Sequence, residues 1–199
     1  DCSSRGLGDV YKRQILYTEP TFAADIVVNS LDDDFDNDGN CTLREAITNA
    51  NDNAATWADC GPGEAAPSTD TIRFGVSGTV AVDDTATGTG LPTITDGSLE
   101  IDGLSAPGAP SCGPVRALAV TIDGTNAGVV SGINVNSVAD VVIRGLNIHS
   151  FSENGIQVSN ATNVVIQCNH IGTDLAGGTA DANGKNGILI NDSSTGVII

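Results

Sequence analysis

One phrase recurs through the second half of this chain, and its recurrence restricts the fold more than any other feature. Ala139-Asp140-Val141-Val142-Ile143-Arg144-Gly145-Leu146-Asn147-Ile148 is followed by Thr162-Asn163-Val164-Val165-Ile166-Gln167-Cys168-Asn169-His170-Ile171, and Thr195-Gly196-Val197-Ile198-Ile199 begins it again. Ile143 and Ile166 lie 23 residues apart, as do Ile148 and Ile171. A second formula, Asn154-Gly155-Ile156-Gln157-Val158, returns 32 residues later as Asn186-Gly187-Ile188-Leu189-Ile190. The slack of about nine residues falls in a turn, as it does in repeat architectures. Apolar residues alternate within each phrase (Val141, Ile143; Leu146, Ile148; Ile156, Val158), which is strand periodicity. Three short strands per repeat of roughly 22 residues predict an all-β solenoid, a parallel β-helix. An antiparallel β-sandwich is the alternative, and offsets that agree on three faces speak against it.

The period extends backwards. Val120-Thr121-Ile122-Asp123-Gly124 precedes Val141-Val142-Ile143-Arg144-Gly145 by 21 residues, and Leu99-Glu100-Ile101-Asp102-Gly103 precedes it by another 21. Ile101, Ile122, Ile143, Ile166 and Ile199 are therefore expected to stack as one interior ladder, with Asp102, Asp123, Arg144 and Gln167 as the outward ladder beside it. Gly132-Ile133-Asn134-Val135, 23 residues before Gly155-Ile156-Gln157-Val158, supplies a third face.

The chain divides by pattern. Residues 1–14 fall outside it and resemble translated adapter read-through from sequencing, so they and Cys2 are set aside. Residues 15–24 read as the remnant of a secretory signal peptide, ending in the small residues Ala23-Ala24 before Asp25. Residues 25–70 hold a first strand, an acidic loop and a helix, and 71–199 hold the repeats, expected to be truncated because the chain stops inside a phrase. A length of 199 residues suits one domain with a sizeable core. A net charge of −17 excludes binding to nucleic acid through phosphates. No apolar run is long enough to cross a membrane. His149 and His170 have no metal-ligand spacing and read as turn residues.

Cys41 and Cys60 flank a segment rich in Asn, Ala and Gly, and a bridge between them would contribute roughly 3 kcal/mol on the chain-entropy model. Cys168 continues an interior column and reads as a small buried hydrophobe; Cys112 sits in a Pro/Gly loop. No zinc pattern is present.

The 25–70 region carries the sharpest local motifs. Leu43, Ala46, Ile47 and Ala50 share a helical face, and Thr42 and Glu45 have the spacing of a capping box. A helix here would cover apolar interior at the start of the repeats. Asp34, Asp36, Asp38, the Asn40 carbonyl and Glu45, with Gly39 at the turn, match the calcium-loop template position by position. That makes structural calcium the one cofactor expected. Two features compete with it: a strand leads in where a helix belongs, and Glu45 also serves the cap. An acidic solvated turn is the plain reading. Asp174, Asp181 and Asn183 offer a second oxygen set or simply a turn.

Cys41-Thr42-Leu43-Arg44-Glu45-Ala46-Ile47 with Asn49-Ala50-Asn51 resembles the N-terminal Cys-Ser-Leu-Arg-Glu-Ala-Ile motif of bacterial surface and secreted proteins that continue into right-handed parallel β-helix repeats. Thr71-Ile72-Arg73-Phe74, Leu91-Pro92-Thr93-Ile94, Ile101-Asp102-Gly103, Arg144-Gly145-Leu146 and Asn169-His170-Ile171-Gly172-Thr173-Asp174 follow in the family's order. Thr42 stands where Ser is commoner, and either hydroxyl can cap. The resemblance implies a right-handed winding, export and an extracellular or cell-surface location. It brings no shared catalytic residues.

Two functions are expected from different classes. The first is an exported, non-catalytic protein for adhesion, glycan contact or envelope display, with polysaccharide or cell-envelope components as partners. The second is a carbohydrate-active enzyme, a polysaccharide lyase or glycoside hydrolase, whose candidate residues are Asp102, Asp123 and Arg144 on the outward ladder. A surface ion pair explains Asp123 and Arg144 equally well, and Asp before Gly also makes turns.

Overall fold

A computed structural model describes residues 24–83, 90–113 and 117–199. The segment set aside at 1–14, the signal remnant apart from Ala24, and most of the Thr/Gly-rich turn after Asp83 lie outside the described residues.

Among the described residues twelve strands form three parallel sheets. Sheet A contains β1 (Asp25–Val28), β2 (Asp70–Phe74), β4 (Leu99–Asp102), β7 (Ala139–Arg144) and β10 (Thr162–Gln167), paired in that order. Sheet B runs β3 (Gly78–Asp83), β5 (Val120–Asn126), β8 (Leu146–His149), β11 (His170–Ile171). Sheet C runs β6 (Ile133–Asn136), β9 (Ile156–Ser159), β12 (Ile188–Asn191), and Ile94 adds a bridge to Val135.

The expected all-β solenoid, a right-handed parallel β-helix, gives way to three separate parallel sheets of five, four and three strands with one α-helix, a small α/β-type arrangement without a closed or continuous sheet among the described residues. The single interior ladder also fails. Ile101 pairs directly with Ile143, whereas Ile122 lies in sheet B between Val80 and Ile148. Ile122 alone leaves the column: Ile143 pairs with Ile166, and the bridges of Thr162 to Thr195 and Val165 to Ile198 carry the same register on to Ile199. The physical reason is that the pattern apolar-x-Ile-Asp-Gly occurs in a strand of each sheet, ending β4 at Asp102 but lying inside β5, and alternation alone does not tell the two sheets apart. Equal 21-residue steps therefore joined strands that belong to different sheets.

The 23-residue spacings are hydrogen-bonded registers: Ile143 with Ile166, Ile148 with Ile171, and Ile133 with Ile156. The 32-residue spacing sets Ile188 beside Ile156. Inward side chains of all three sheets belong to one apolar cluster, including Ile26, Ile72, Ile101, Ile143, Ile122, Ile148, Ile133 and Ile156. A single residue, Gly145 at φ +72°, separates β7 from β8. A Cβ there would collide with Leu104, so the corner requires glycine on both counts. The Asn-Gly formula has its own explanation. Asn154 is buried, and its Oδ1 accepts from the Asn186 side-chain amide at 2.9 Å while its Nδ2 donates to Ser131 at 3.2 Å. Amides stacked in this way satisfy buried polar groups from one row to the next.

Helix α1 (Leu43–Asp52) carries the predicted capping box: the Thr42 side chain accepts from Glu45 N, and the Glu45 side chain accepts from Thr42 N. Leu43, Ala46, Ile47 and Ala50 join the apolar cluster. Two asparagines then stitch loops to the helix. Asn49 Nδ2 donates to Trp57 O and Gly61 O, and its Oδ1 accepts from Trp57 N. Asn51 donates to Thr93 O and accepts from Thr95 N and Asp96 N, which fixes the row that begins sheet C.

One inward position of sheet A holds a charge-bearing group. Asp70 registers with Leu99, which registers with Val141, so a carboxyl stands at the head of an inward aliphatic column. It is buried and accepts the Glu64 N–H. Burial pushes it up to about 6 from 3.8, with Asp96 and Glu64 adding repulsion and the Glu64 N–H opposing. A raised folded-state value means that its contribution to stability is complete below pH ~3.8 and is lost as pH rises through about 6. Asp70→Asn should therefore stabilise the protein at pH 7 by on the order of 2 kcal/mol and flatten the pH dependence between 4 and 6. Urea melts at pH 4, 5, 6 and 7 measure this, and an unchanged profile in the variant would refute it.

Candidate functional site

Four surfaces concentrate polar chemistry: the acidic loop beside α1 and the outward faces of the three sheets.

In the acidic loop, Glu45 is fully buried and both its oxygens are engaged. Oε2 accepts from Thr42 N at 3.0 Å and Oε1 from Asp36 N at 3.1 Å. Burial raises its pKa while those N–H groups oppose the shift. Two-oxygen capture of a cation by Glu45 would release both backbone groups. Asp38 accepts from Asn40 N and Nδ2, an Asx-type turn. Asp34 and Asp36 lie nearer solvent, and the Asp34 pKa is raised by burial first and then by Asp32, Asp38, Asp36 and Asp33. Among the described residues no three Asp, Glu, His or Cys side chains assemble as a metal-holding group. The five template residues thus adjoin one another, but Glu45 serves the helix and its loop rather than a shared centre.

The neighbouring acid has a different part. Asp33, absent from the template, receives Arg44 Nε at 2.8 Å and Nη2 at 2.7 Å, and Arg44 Nη1 donates to Gly90 O at 2.6 Å. Both side chains are buried. Phe35 stacks on Trp57 with centroids 4.9 Å apart, and the guanidinium of Arg44 lies 5.4 Å from the Phe35 ring. Cys41 and Cys60 are disulfide-bonded as expected, with Cα atoms 4.9 Å apart. Cys112 and Cys168 form a second bridge, Cα atoms 5.5 Å apart, so Cys168 is a cross-link rather than a buried hydrophobe.

On the outward face of sheet A, Arg144 grips Asp102 through Nε at 3.0 Å and Nη2 at 3.1 Å and meets Glu100 at 2.7 Å. These partners hold the guanidinium pKa above its ordinary value, the hydrogen bonds it donates to Asp102 contributing most. Asp123 is not on this ladder. It lies in sheet B beside His149, and its Oδ1 accepts from the Thr125 N–H and hydroxyl. The structure therefore unites two of the three catalytic candidates in an ion pair and separates the third.

Sheet B holds a cluster that spacing did not show. His149 Nδ1 lies 2.9 Å from Ser150 Oγ, 3.2 Å from Asp181 Oδ2 and 3.8 Å from Asp123 Oδ1, and Ser150 donates to Asp181. Asp181 comes from the long turn after β11, so the imidazole ties that turn to the sheet. Asn183 from the same turn accepts from Phe151 N. Asp174 instead caps local N–H groups of Thr179 and Gly178, which lower its pKa. The second oxygen set of Asp174, Asp181 and Asn183 thus divides among three separate tasks. Nearby, the Asn147 side-chain oxygen is buried without a partner.

Sheet C presents an open groove of about 310 Å³ lined by Thr93, Asn134, Asn136, Gln157, Ser159 and Asn191, with Asp192 at its rim.

No protein family and no curated protein matches the chain.

The missed residues share one property: partners far away in sequence. Ser150 and Asp181 are 31 residues apart, and Asp33 meets Arg44 only because the acidic loop folds over the helix. Asn134, Gln157 and Asn191 alternate with inward apolar residues along their strands, but alternation does not show that three strands line them up. Among the described residues no helix is long and apolar enough to cross a membrane.

Proposed function

We propose that this chain is an exported protein, secreted or held at the cell surface, which binds polysaccharide or other cell-envelope polymers and does not cleave them. Two disulfides suit an oxidising compartment, and the exported location is inferred from that chemistry. The observation that supports binding over cleavage is the bidentate pairing of Arg144 with Asp102: acid and base neutralise each other, with Asp123 committed elsewhere. A lyase base or a hydrolase acid must be free to exchange a proton with substrate. Incubation of the full chain with acidic and neutral polysaccharides tests the proposal. Retention on insoluble cell-wall material without new unsaturated or reducing ends is the expected result; turnover would overturn it.

A second reading, carbohydrate-active enzyme, is favoured by the His149 cluster, where Asp181 and Ser150 orient an imidazole through one nitrogen. Product ends that vanish in His149→Ala but persist in Arg144→Ala would establish it.

Calcium at Asp34, Asp36, Asp38 and the Asn40 carbonyl is likewise a proposal, supported by the template spacing of these residues and by an Asp34 pKa raised first by burial and then by the neighbouring carboxylates. A cation there should lift Tm by a few degrees at millimolar calcium, with reversal on chelation. Identical melts with calcium and with chelator would exclude it.

A further inference from the structure

Sheet C repeats its outward chemistry row after row. Asn134, Gln157 and Leu189 occupy one outward column in hydrogen-bonded register; Asn136, Ser159 and Asn191 occupy the next. The bridge from Ile94 to Val135 puts Thr93 in line with Asn134, giving four rows. At about 4.8 Å per row they extend about 14 Å along the groove.

Much of this face has spare hydrogen-bonding capacity. The Asn134 amide makes no side-chain hydrogen bond among the described residues, leaving its donor and acceptor both free. Asn136 accepts only from Ser137, and Asn191 only from Ser159, so each keeps a free NH2 group. Gln157 Oε1 accepts from Ser131 and Asn154 and its Nε2 donates to Ser159 at 3.5 Å, which fixes where its amide points. A braced amide is organised for a ligand before the ligand arrives.

The lining also restricts the ligand class. No Lys, Arg or His lines the groove, its one charge is Asp192, and the whole chain carries −17, so uronates, phosphates and nucleic acids are repelled. No aromatic side chain lines it, and Val135 is its only apolar lining residue, which leaves little to hold an apolar ligand. An extended peptide adds to a strand edge, whereas this groove lies on a sheet face. Amides that both donate and accept match hydroxyls that do the same.

We infer that the outward face of sheet C, centred on Asn134, Asn136, Gln157 and Asn191, is a binding site for an uncharged, hydroxyl-rich glycan chain lying along the rows. The inference rests on the polysaccharide-binding reading above and names the face and the ligand class for it.

Titration calorimetry of the full chain with neutral hexasaccharides from glucan, mannan and galactan, and with hexagalacturonate, tests it. At least one neutral chain should bind, hexagalacturonate should not, and the paired substitution Asn134→Ala with Asn191→Ala should weaken binding at least about tenfold with Tm unchanged. Asn136→Asp, a change of similar size that adds charge without removing bulk, should weaken it as well. Neutral binding that survives the paired substitution, preference for hexagalacturonate, or no binding by any hexasaccharide would each overturn the assignment. Cell-wall retention of the paired variant separates the two levels: if it persists, the polymer-binding reading stands and another face carries it; if wild type itself is not retained, that reading falls too.

Discussion

Replacing Arg44 by alanine should destabilise the protein by about 3–5 kcal/mol, the range for breaking a buried ion pair from one side. The substitution strands the Asp33 carboxylate, which loses the Nε and Nη2 donors at 2.8 and 2.7 Å, and it deprives Gly90 O of its partner. Asp33 would keep one backbone donor, the Asp83 N–H at 2.9 Å, too little for a buried charge. Arg44→Lys should recover only part of the loss, because an ammonium cannot serve Asp33 through two parallel bonds and Gly90 with a third. Replacing both partners together, Arg44→Met with Asp33→Asn, should cost less than Arg44→Ala alone, since no unpaired charge is left. Urea denaturation of the three variants checks the order. A loss below ~1 kcal/mol for Arg44→Ala would mean that water reaches Asp33 freely.

The second large effect concerns the bridge between Cys112 and Cys168, whose sequence separation of 56 makes it the longer of the two loops. Changing both cysteines to serine should cost about 4 kcal/mol on the chain-entropy model, against roughly 3 kcal/mol for Cys41 and Cys60. Comparison of the paired serine variants under non-reducing conditions gives the ranking. The longer bridge also fastens the loop around Cys112 to the end of β10, so proteolytic nicking near Ser111 should increase in its absence. Equal stability of the bridged and serine proteins would show that the denatured chain gains no freedom from losing the link.

How far the amino-acid sequence disclosed all this depends on distance along the chain. Recurrences of 23 residues correspond to real pairings because short corners join the strands concerned, and Gly145 leaves little choice of path. The step from Ile101 to Ile122 misled because the chain leaves sheet A after Asp102, and β5 resumes in another sheet with the same local pattern. Alternation tells in from out but not one sheet from another. Thr42 and Glu45 were legible because a capping box is local. The calcium-loop spacing separately offers Glu45 as a ligand, and its oxygens accept from the Thr42 and Asp36 N–H groups. Asp70 was not singled out at all, since nothing nearby distinguishes an interior carboxyl from an ordinary loop acid. The His149 contacts were hidden for the opposite reason, their partners being separated by a turn of irregular length.

The clasp that Asn51 makes on Thr93, Thr95 and Asp96 couples two distant parts of the molecule. Whatever docks along sheet C meets a first row held from two sides, by the Ile94 bridge to Val135 and by the helix through Asn51. An Asn51→Ala protein would keep every ligand-touching side chain and still recognise its target poorly, a defect at the doorway that no inspection of the binding surface would reveal.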